Sequence, residues 1–253
     1  MIIVSYHLCQ LSAKYQTIIT PAGAAFAIWG VIFVAQAFFV FYQMLKNIRH
    51  NQLVQEGVSY WYFVACIFQS AWTFAFGYEI IWLSSIFMFG ILASLLMIVY
   101  RQNRLTWGDS RIKGFWLLKF PFSIHAGWIC AAFAVNVNVS IVAAGQSSDT
   151  QISFAYASIV YAIMVAIASL FYLSLPEFTI PCVLAWASMW IVIELRAPSD
   201  LITATFTDDE ITQVRTAFLV VCVLLCITTV ACAIHRKFLK ANKTDDRANY
   251  RVM

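Results

Sequence analysis

The chain has 253 residues, of which 62% are hydrophobic and only 11% are charged, and its formal net charge is +4. A soluble domain carries roughly 25% charged residues, which it needs to cover its surface. The composition therefore excludes a soluble globular protein and predicts that most of the apolar surface faces lipid.

Seven apolar runs follow one another along the chain, each close to the roughly 20 residues that a membrane-spanning helix needs. Strands of a membrane barrel would instead alternate over segments of about 10 residues. The fold class predicted is an all-α membrane protein, a bundle of about seven transmembrane helices. The expected spans are 22–45, 59–77, 79–100, 115–141, 152–174, 178–195 and 213–235.

The two ends of the chain differ in character. Residues 1–21 are expected to form a short N-terminal segment and a proline-containing loop, because 1–11 is apolar but too short to span a bilayer. That segment also lacks the basic start and small-residue cleavage site of a signal peptide. Residues 236–253 form a basic tail.

The distribution of lysine and arginine predicts the orientation. Thirteen of these residues fall on one side of the predicted membrane, in the loops after the first and third spans, at the start of the fourth and in the tail. The other side has only Lys14, Arg196 and Arg215. The positive-inside rule places the C-terminus in the cytosol, or in the equivalent stroma or matrix, and the N-terminus outside. An odd number of spans agrees with this.

Strongly polar side chains at membrane depth are costly and normally face protein or a cavity. The candidates in the middle of the runs are Gln36, Gln69, His125 and Asn136. Glu194 ends its span close to Arg196 and is interpreted as an interfacial charge. The acidic segment 200–210 lies outside, where a solvated loop is a better interpretation than a cation site.

The sequence contains no pattern typical of an enzyme. It has no nucleophile–base pair, no spacing of metal ligands and no chain of carboxylates such as a proton pump requires. We therefore predict neither a catalytic residue nor a metal site. The positive charge lies on the predicted inner rim and tail, which indicates contact with anionic lipid rather than with nucleic acid.

Three tryptophans lie inside spans rather than at their ends, where interfacial tryptophans are expected. At about 1.5 Å of rise per residue, Trp29, Gln69, Trp72 and Asn136 fall in the outer half of the membrane, and Trp128 falls near its middle. Indoles and amides at similar depth on three helices could line one pocket, since aromatic walls with few polar groups hold flat ligands. The alternative is that the indoles simply pack between helices.

Three motifs stand out in chain order: 20–33 (TPAGAAFAIWGVIF), 69–72 (QSAW), and 118–128 (LKFPFSIHAGW) followed by Asn136. Together they resemble the TspO/MBR family of tryptophan-rich sensory and translocator proteins. The likeness is closest to the longer branch of the family, which has extra C-terminal helices. It implies a TspO-like core over 22–141 without a full first helix, and three additional transmembrane helices over 142–235.

The resemblance also implies a non-covalent binding protein for flat apolar ligands such as tetrapyrroles or sterols. The loop around Pro21 would cap a pocket between the first, second and fourth spans. Indoles would stack on the ligand, and polar groups would bond to it. For His125 an axial contact to a metalloporphyrin is one option, and a core histidine bonded to a backbone carbonyl is the favoured alternative. The implied ligand-binding residues are Pro21, Phe26, Trp29, Gln69, Trp72, His125, Trp128 and Asn136.

Two other functions remain open at this stage. One is a structural or accessory subunit of a larger membrane complex, which could contain pigment; the small residues 22–25 would let helices approach closely. The other is a small-molecule transporter, which predicts inverted repeats and broken helices. Expected partners are membrane lipid, a small hydrophobic ligand, and further copies or a larger complex. No cofactor is required beyond a tetrapyrrole as the suggested ligand.

Overall fold

The structure, a computed structural model, describes residue 11, residues 13–105 and residues 111–249, so residues 1–10 and 12 of the predicted N-terminal segment 1–21 lie outside it. The described chain is helical and contains no strand. A short 3₁₀ helix (Gly23–Ala27) leads into the first long helix. The long helices are α1 (Ile28–Gln43), α2 (Trp61–Gly77), α3 (Ile81–Arg104), α4 (Phe120–Ala143), α5 (Ser148–Ile167), α6 (Thr179–Glu194) and α7 (Asp208–Asn249).

The predicted class, an all-α multi-pass membrane protein, is confirmed. Five segments are long and apolar enough to cross a bilayer, namely Gly23–Gln43, Ile81–Arg104, Phe115–Ala143, Ser148–Tyr172 and Asp208–Phe238. Helices α2 and α6 are apolar but shorter, at 17 and 16 residues. The count of seven spans therefore stays a prediction.

Large apolar side chains cover the outside of the bundle. Phe38, Phe63 and Ile227 are 60%, 69% and 59% exposed. A soluble monomer rarely exposes extended apolar patches, whereas lipid favours them. The exposed apolar surface and the helix lengths both indicate that lipid surrounds the bundle.

Helix ends in this bundle follow local chemistry. Helix α7 begins with a capping box, in which the backbone N–H of Glu210 donates to the Thr207 hydroxyl (3.3 Å) while the Glu210 carboxylate accepts from the Thr207 backbone (2.7 Å). The Thr207 hydroxyl also donates to the Glu210 carboxylate (2.8 Å). Helix α4 is preceded by a π-helical turn, Phe115–Lys119, because Pro121 cannot donate a backbone hydrogen bond.

Helix α4 is the centre of the bundle and packs against α1, α3, α5 and α6, while α7 covers α5 and α6. It packs tightly against α6 at Gly127. A Cβ added there would lie 2.9 Å from Cβ of Val183 and 3.2 Å from Cα of Ile180. Small residues at such crossings let membrane helices pack backbone to backbone.

We expect Gly127→Ala to lower the free energy of unfolding by about 1–3 kcal/mol, the usual cost of forcing an extra carbon into a packed interior. Gly30→Ala is the matched control, because a Cβ at Gly30 meets nothing within 4 Å. That change should be neutral or stabilising by up to about 1 kcal/mol, since alanine favours helix. Thermal unfolding in detergent, monitored by size-exclusion chromatography, measures the stability of both variants. Equal melting temperatures for the two variants would contradict the tight α4–α6 crossing.

A buried polar cluster closes the predicted inner end of the bundle. The Lys119 ammonium lies 3.0 Å from the Glu177 carboxylate, and the two side chains are only 4% and 2% exposed. The other Glu177 oxygen accepts from the backbone N–H of Thr179 (3.0 Å) at the start of α6. Nearby, the Asn103 side chain donates to the Leu175 carbonyl (2.6 Å) and accepts from its N–H (2.9 Å). These bonds attach α3 and α4 to the α5–α6 connection.

This cluster changes the interpretation of one charge. Lys119 is among the thirteen cations that predict the orientation, yet it is buried in an ion pair and does not reach headgroups. Twelve cations against three still favour the same direction. The orientation itself remains a prediction.

Candidate functional site

A cavity of about 730 Å³ opens in the predicted outer half of the bundle. It is bounded by the N-terminal segment and by residues of α1, α2, α4, α5 and α6, with one residue each from α3 (Met88) and α7 (Phe218). Its volume lies within the range of about 300–1,000 Å³ that is usual for small-molecule sites. Seven of the eight predicted ligand-binding residues line it: Pro21, Phe26, Trp29, Gln69, Trp72, Trp128 and Asn136.

Indoles and a phenyl ring form one wall. The rings of Trp29 and Trp128 meet edge to face, with centroids 6.3 Å apart, and Phe26 meets Trp128 in the same way at 5.5 Å. On α2, the ring of Trp72 stacks on that of Phe76, with centroids 5.3 Å apart. These contacts fix the orientation of the rings, so the wall is preformed.

The Trp72 indole is held by a hydrogen-bond network within the protein. Its Nε1 donates to Oδ1 of Asn136 (2.9 Å), whose Nδ2 in turn donates to the Ser84 hydroxyl (3.1 Å). Ser84 donates onward to the Ile81 carbonyl (2.7 Å). The Asn136 amide is thereby engaged, and its part in the site is to position Trp72 rather than to present a free amide.

Besides the Tyr161 hydroxyl, two other polar groups of the wall have no hydrogen-bond partner among the described residues. Nε1 of Trp128 is a donor, Oε1 of Gln69 is an acceptor, and both are buried. An unpaired buried polar group costs about 1–3 kcal/mol. A ligand that accepts from the indole or donates to the amide would remove that cost, so these atoms are the natural hydrogen-bonding points of the cavity.

The structure places His125 outside the cavity lining. It lies behind Trp29, with ring centroids 5.6 Å apart, and its Nδ1 accepts from Nε2 of Gln36 (2.8 Å). The residue is 5% exposed and packs between α1 and α4. Here it orients Trp29 rather than facing the cavity, and the predicted axial contact has no support in this geometry.

The segment 13–21 closes the outer mouth of the cavity. Lys14 pairs with Glu79, and the Tyr15 hydroxyl donates to the same carboxylate (2.6 Å). The hydrogen bond to Glu79 is the main reason why the pKa of Lys14 is raised above its ordinary value. Glu79 itself has φ +59° in the tight α2–α3 turn, a conformation that L-residues seldom adopt without support from their surroundings.

Helix α6 also binds the N-terminal segment that closes the cavity. The Ala22 N–H donates to the Trp190 carbonyl (3.2 Å), and Nε1 of Trp186 donates to the Ala25 carbonyl (3.3 Å). Nε2 of Gln16 donates to the Glu194 carboxylate (2.9 Å). The proline-containing loop is therefore packed against α6, which the sequence did not indicate.

Sequence reasoning missed the contribution of α5 and α6 to the cavity. Ser158, Tyr161 and Ala162 of α5 and Ser188 and Glu194 of α6 line it. Glu194, interpreted from the sequence as an interfacial charge beside Arg196, instead bonds to Gln16 at the cavity mouth. The only signal in the sequence for this role of Glu194 is that a carboxylate ends an otherwise apolar run.

The acidic segment after α6 is not a loop throughout. Asp200–Thr205 forms a short helix, and Asp208 begins α7. Over the ranges that the structure describes, no three His, Cys, Asp or Glu side chains lie close enough to hold a metal ion. The acidic residues act locally, as at the start of α7.

A sequence-family model described as TSPO-like protein matches residues 2–231 of the chain. The match includes the three motifs and also the C-terminal helices, which the motifs do not reach. It therefore takes in every residue of the cavity wall described above. Comparison with curated proteins gives no match, and neither does comparison with solved structures.

Proposed function

The chain belongs to the TSPO-like family, and on that premise we propose that it binds a flat, largely apolar ligand, such as a tetrapyrrole or a sterol, in the cavity. It is an integral multi-pass membrane protein of a family associated with binding and sensing rather than catalysis. The proposal depends above all on one observation, the preformed 730 Å³ cavity walled by Trp29, Trp72 and Trp128.

Binding in this proposal is non-covalent and uses the shape of the wall. Flat rings gain most by lying against aromatic faces, and each such contact contributes about 0.5–1.5 kcal/mol beyond the area that it buries. The indole N–H of Trp128, the amide oxygen of Gln69 and the hydroxyl of Tyr161 are among the available hydrogen-bonding atoms. A mostly apolar ligand with one or two polar groups fits a wall of aromatic faces with so few hydrogen-bonding atoms.

The closure around Pro21 implies that the ligand enters from the predicted outer leaflet. The loop is held by side-chain bonds at Lys14, Tyr15 and Gln16 and by backbone bonds to α6. Side-chain bonds between partly exposed groups are individually weak, so local opening of the loop is the expected route to the cavity.

Titration of the detergent-purified protein with protoporphyrin dimethyl ester should quench tryptophan fluorescence in a saturable way. The ester is neutral and so tests the flat ring alone. We expect Trp72→Phe and Trp128→Phe each to raise Kd by about 2–10-fold, because each shortens the aromatic wall by part of one ring. Trp128→Phe also removes the unpaired N–H.

Trp82→Phe is the matched control, since Trp82 is 66% exposed and does not line the cavity. It removes a fluorophore and should leave Kd unchanged. Quenching that is linear, or that responds equally to all three substitutions, would reject binding in this cavity. The accessory-subunit function would then be favoured, and stable co-purification with other membrane proteins would be its test.

A further inference from the structure

The cavity has one charged end. Glu194, the last residue of α6, is the only acidic or basic side chain in the wall as far as the described residues go; the wall contains no Lys, Arg or His. The remaining wall is aromatic, aliphatic or neutral polar. A ligand in this space therefore meets a single negative charge, at the outer mouth.

The surrounding polar groups orient this carboxylate without neutralising it. Oε1 of Glu194 accepts from Nε2 of Gln16 (2.9 Å), and Oε1 of Gln16 accepts from the Ser199 hydroxyl (2.6 Å). The Gln16 amide is therefore fixed with its N–H₂ towards the carboxylate. Within the described part of the chain the carboxylate accepts this bond at Oε1 and makes no side-chain hydrogen bond at Oε2.

Two arginines lie near Glu194 but do not pair with it. Nη1 of Arg215 donates to the Leu195 carbonyl (3.4 Å), and the Arg196 side chain is exposed. The ion pairs found in the described ranges are Lys14–Glu79 and Lys119–Glu177, and neither includes Glu194. The carboxylate thus has an unused oxygen and forms no ion pair within the described ranges.

We propose that the cavity selects flat ligands that carry a positively charged nitrogen at one end, with the ring system against the indoles and the cationic group on Glu194. This inference rests on the proposed function and narrows its ligand class. It predicts that carboxylate-bearing tetrapyrroles are poor ligands, although their ring fits the cavity.

Two physical effects point the same way. A hydrogen bond from an ammonium to a carboxylate is about twice as strong as one between neutral groups. A ligand carboxylate would instead meet Glu194 as a like charge, which disfavours the ionised form of both groups.

The test uses three ligands with one macrocycle: protoporphyrin, its neutral dimethyl ester, and its bis(2-aminoethyl) amide, which carries two ammonium groups. Fluorescence titration should give the lowest Kd for the ammonium form, at least about tenfold below the ester, and the highest for the dicarboxylate. In Glu194→Gln, the ammonium and ester forms should bind equally. The comparison is the ratio of the two Kd values within one variant, so a general change in affinity leaves it unaffected.

Asp209→Asn controls for general attraction of cations to the acidic outer surface, since Asp209 is exposed and lies outside the cavity. It should leave the tenfold preference intact. An ester that binds saturably, with no preference for the ammonium form or with a preference that survives in Glu194→Gln, overturns the charge selection alone. Absence of saturable binding for all three ligands overturns the proposed function together with it.

Discussion

Replacing Lys119 with methionine is expected to lower the free energy of unfolding by about 3–5 kcal/mol, the largest stability effect we predict for one substitution. The side chains of Lys119 and Glu177 are 4% and 2% exposed, and their charged groups lie 3.0 Å apart. Removing one member of a buried pair leaves the other charge without compensation in a medium that solvates it poorly. Thermal or denaturant unfolding in detergent measures the loss.

The double variant Lys119→Met with Glu177→Gln separates this effect from lost packing. A buried pair replaced by neutral groups of similar size is often close to neutral in stability. Glutamine can also still accept from the Thr179 backbone through its amide oxygen, as Glu177 does. We therefore expect the double variant to recover most of the stability lost by Lys119→Met. A double variant as unstable as the single one would show that packing, not charge, is responsible.

Hydropathy predicted the positions of the helices well but not their ends. The fifth and seventh spans were expected to begin at 152 and 213, whereas α5 begins at Ser148 and α7 at Asp208. In both cases a polar first turn is stabilised by capping: Ser147 accepts from the Thr150 N–H, and Thr207 pairs with Glu210. An apolar window stops where polarity begins, although capping extends the helix through it.

The site was predicted as far as depth along the membrane allows. Residues on α1, α2 and α4 at one depth, among them Trp29, Trp72 and Trp128, do meet around one cavity. Depth says nothing about which way a side chain points around its helix. His125 therefore proved to face Gln36, and Asn136 proved to be engaged with Trp72 and Ser84.

The sequence could not predict that α5 and α6 contribute residues to the cavity, for a related reason. Tyr161 and Ser188 are ordinary residues of apolar spans, and nothing in their spacing indicates that the two C-terminal helices close the same cavity as the N-terminal motifs. Only the packing of α4 against both helices brings them there. Glu194 differs, because a carboxylate at the end of an apolar run costs free energy to hold near the bilayer. Such a residue is normally paired or functional, so its presence is a signal in the sequence.

Filling the cavity from α5 is expected to weaken ligand binding by about 100-fold. Ala162 lines the cavity, so a phenyl ring in Ala162→Phe takes space that the ligand needs. Forcing both into one packed volume costs up to about 3 kcal/mol, which corresponds to roughly a 100-fold change in Kd. Titration with protoporphyrin dimethyl ester, with melting temperature measured alongside, tests this.

Ala157→Phe makes the same chemical change on the same helix at an exposed position that does not line the cavity. A lipid-facing phenyl ring has no neighbour to displace, so both Kd and melting temperature should stay at their parental values. If Ala162→Phe keeps the melting temperature but loses binding, the C-terminal helices form part of the ligand site and not merely a support for it. If both variants bind the ester as the parent does, the ligand lies elsewhere on the protein. The indole wall would then serve only to pack α1 and α2 against α4.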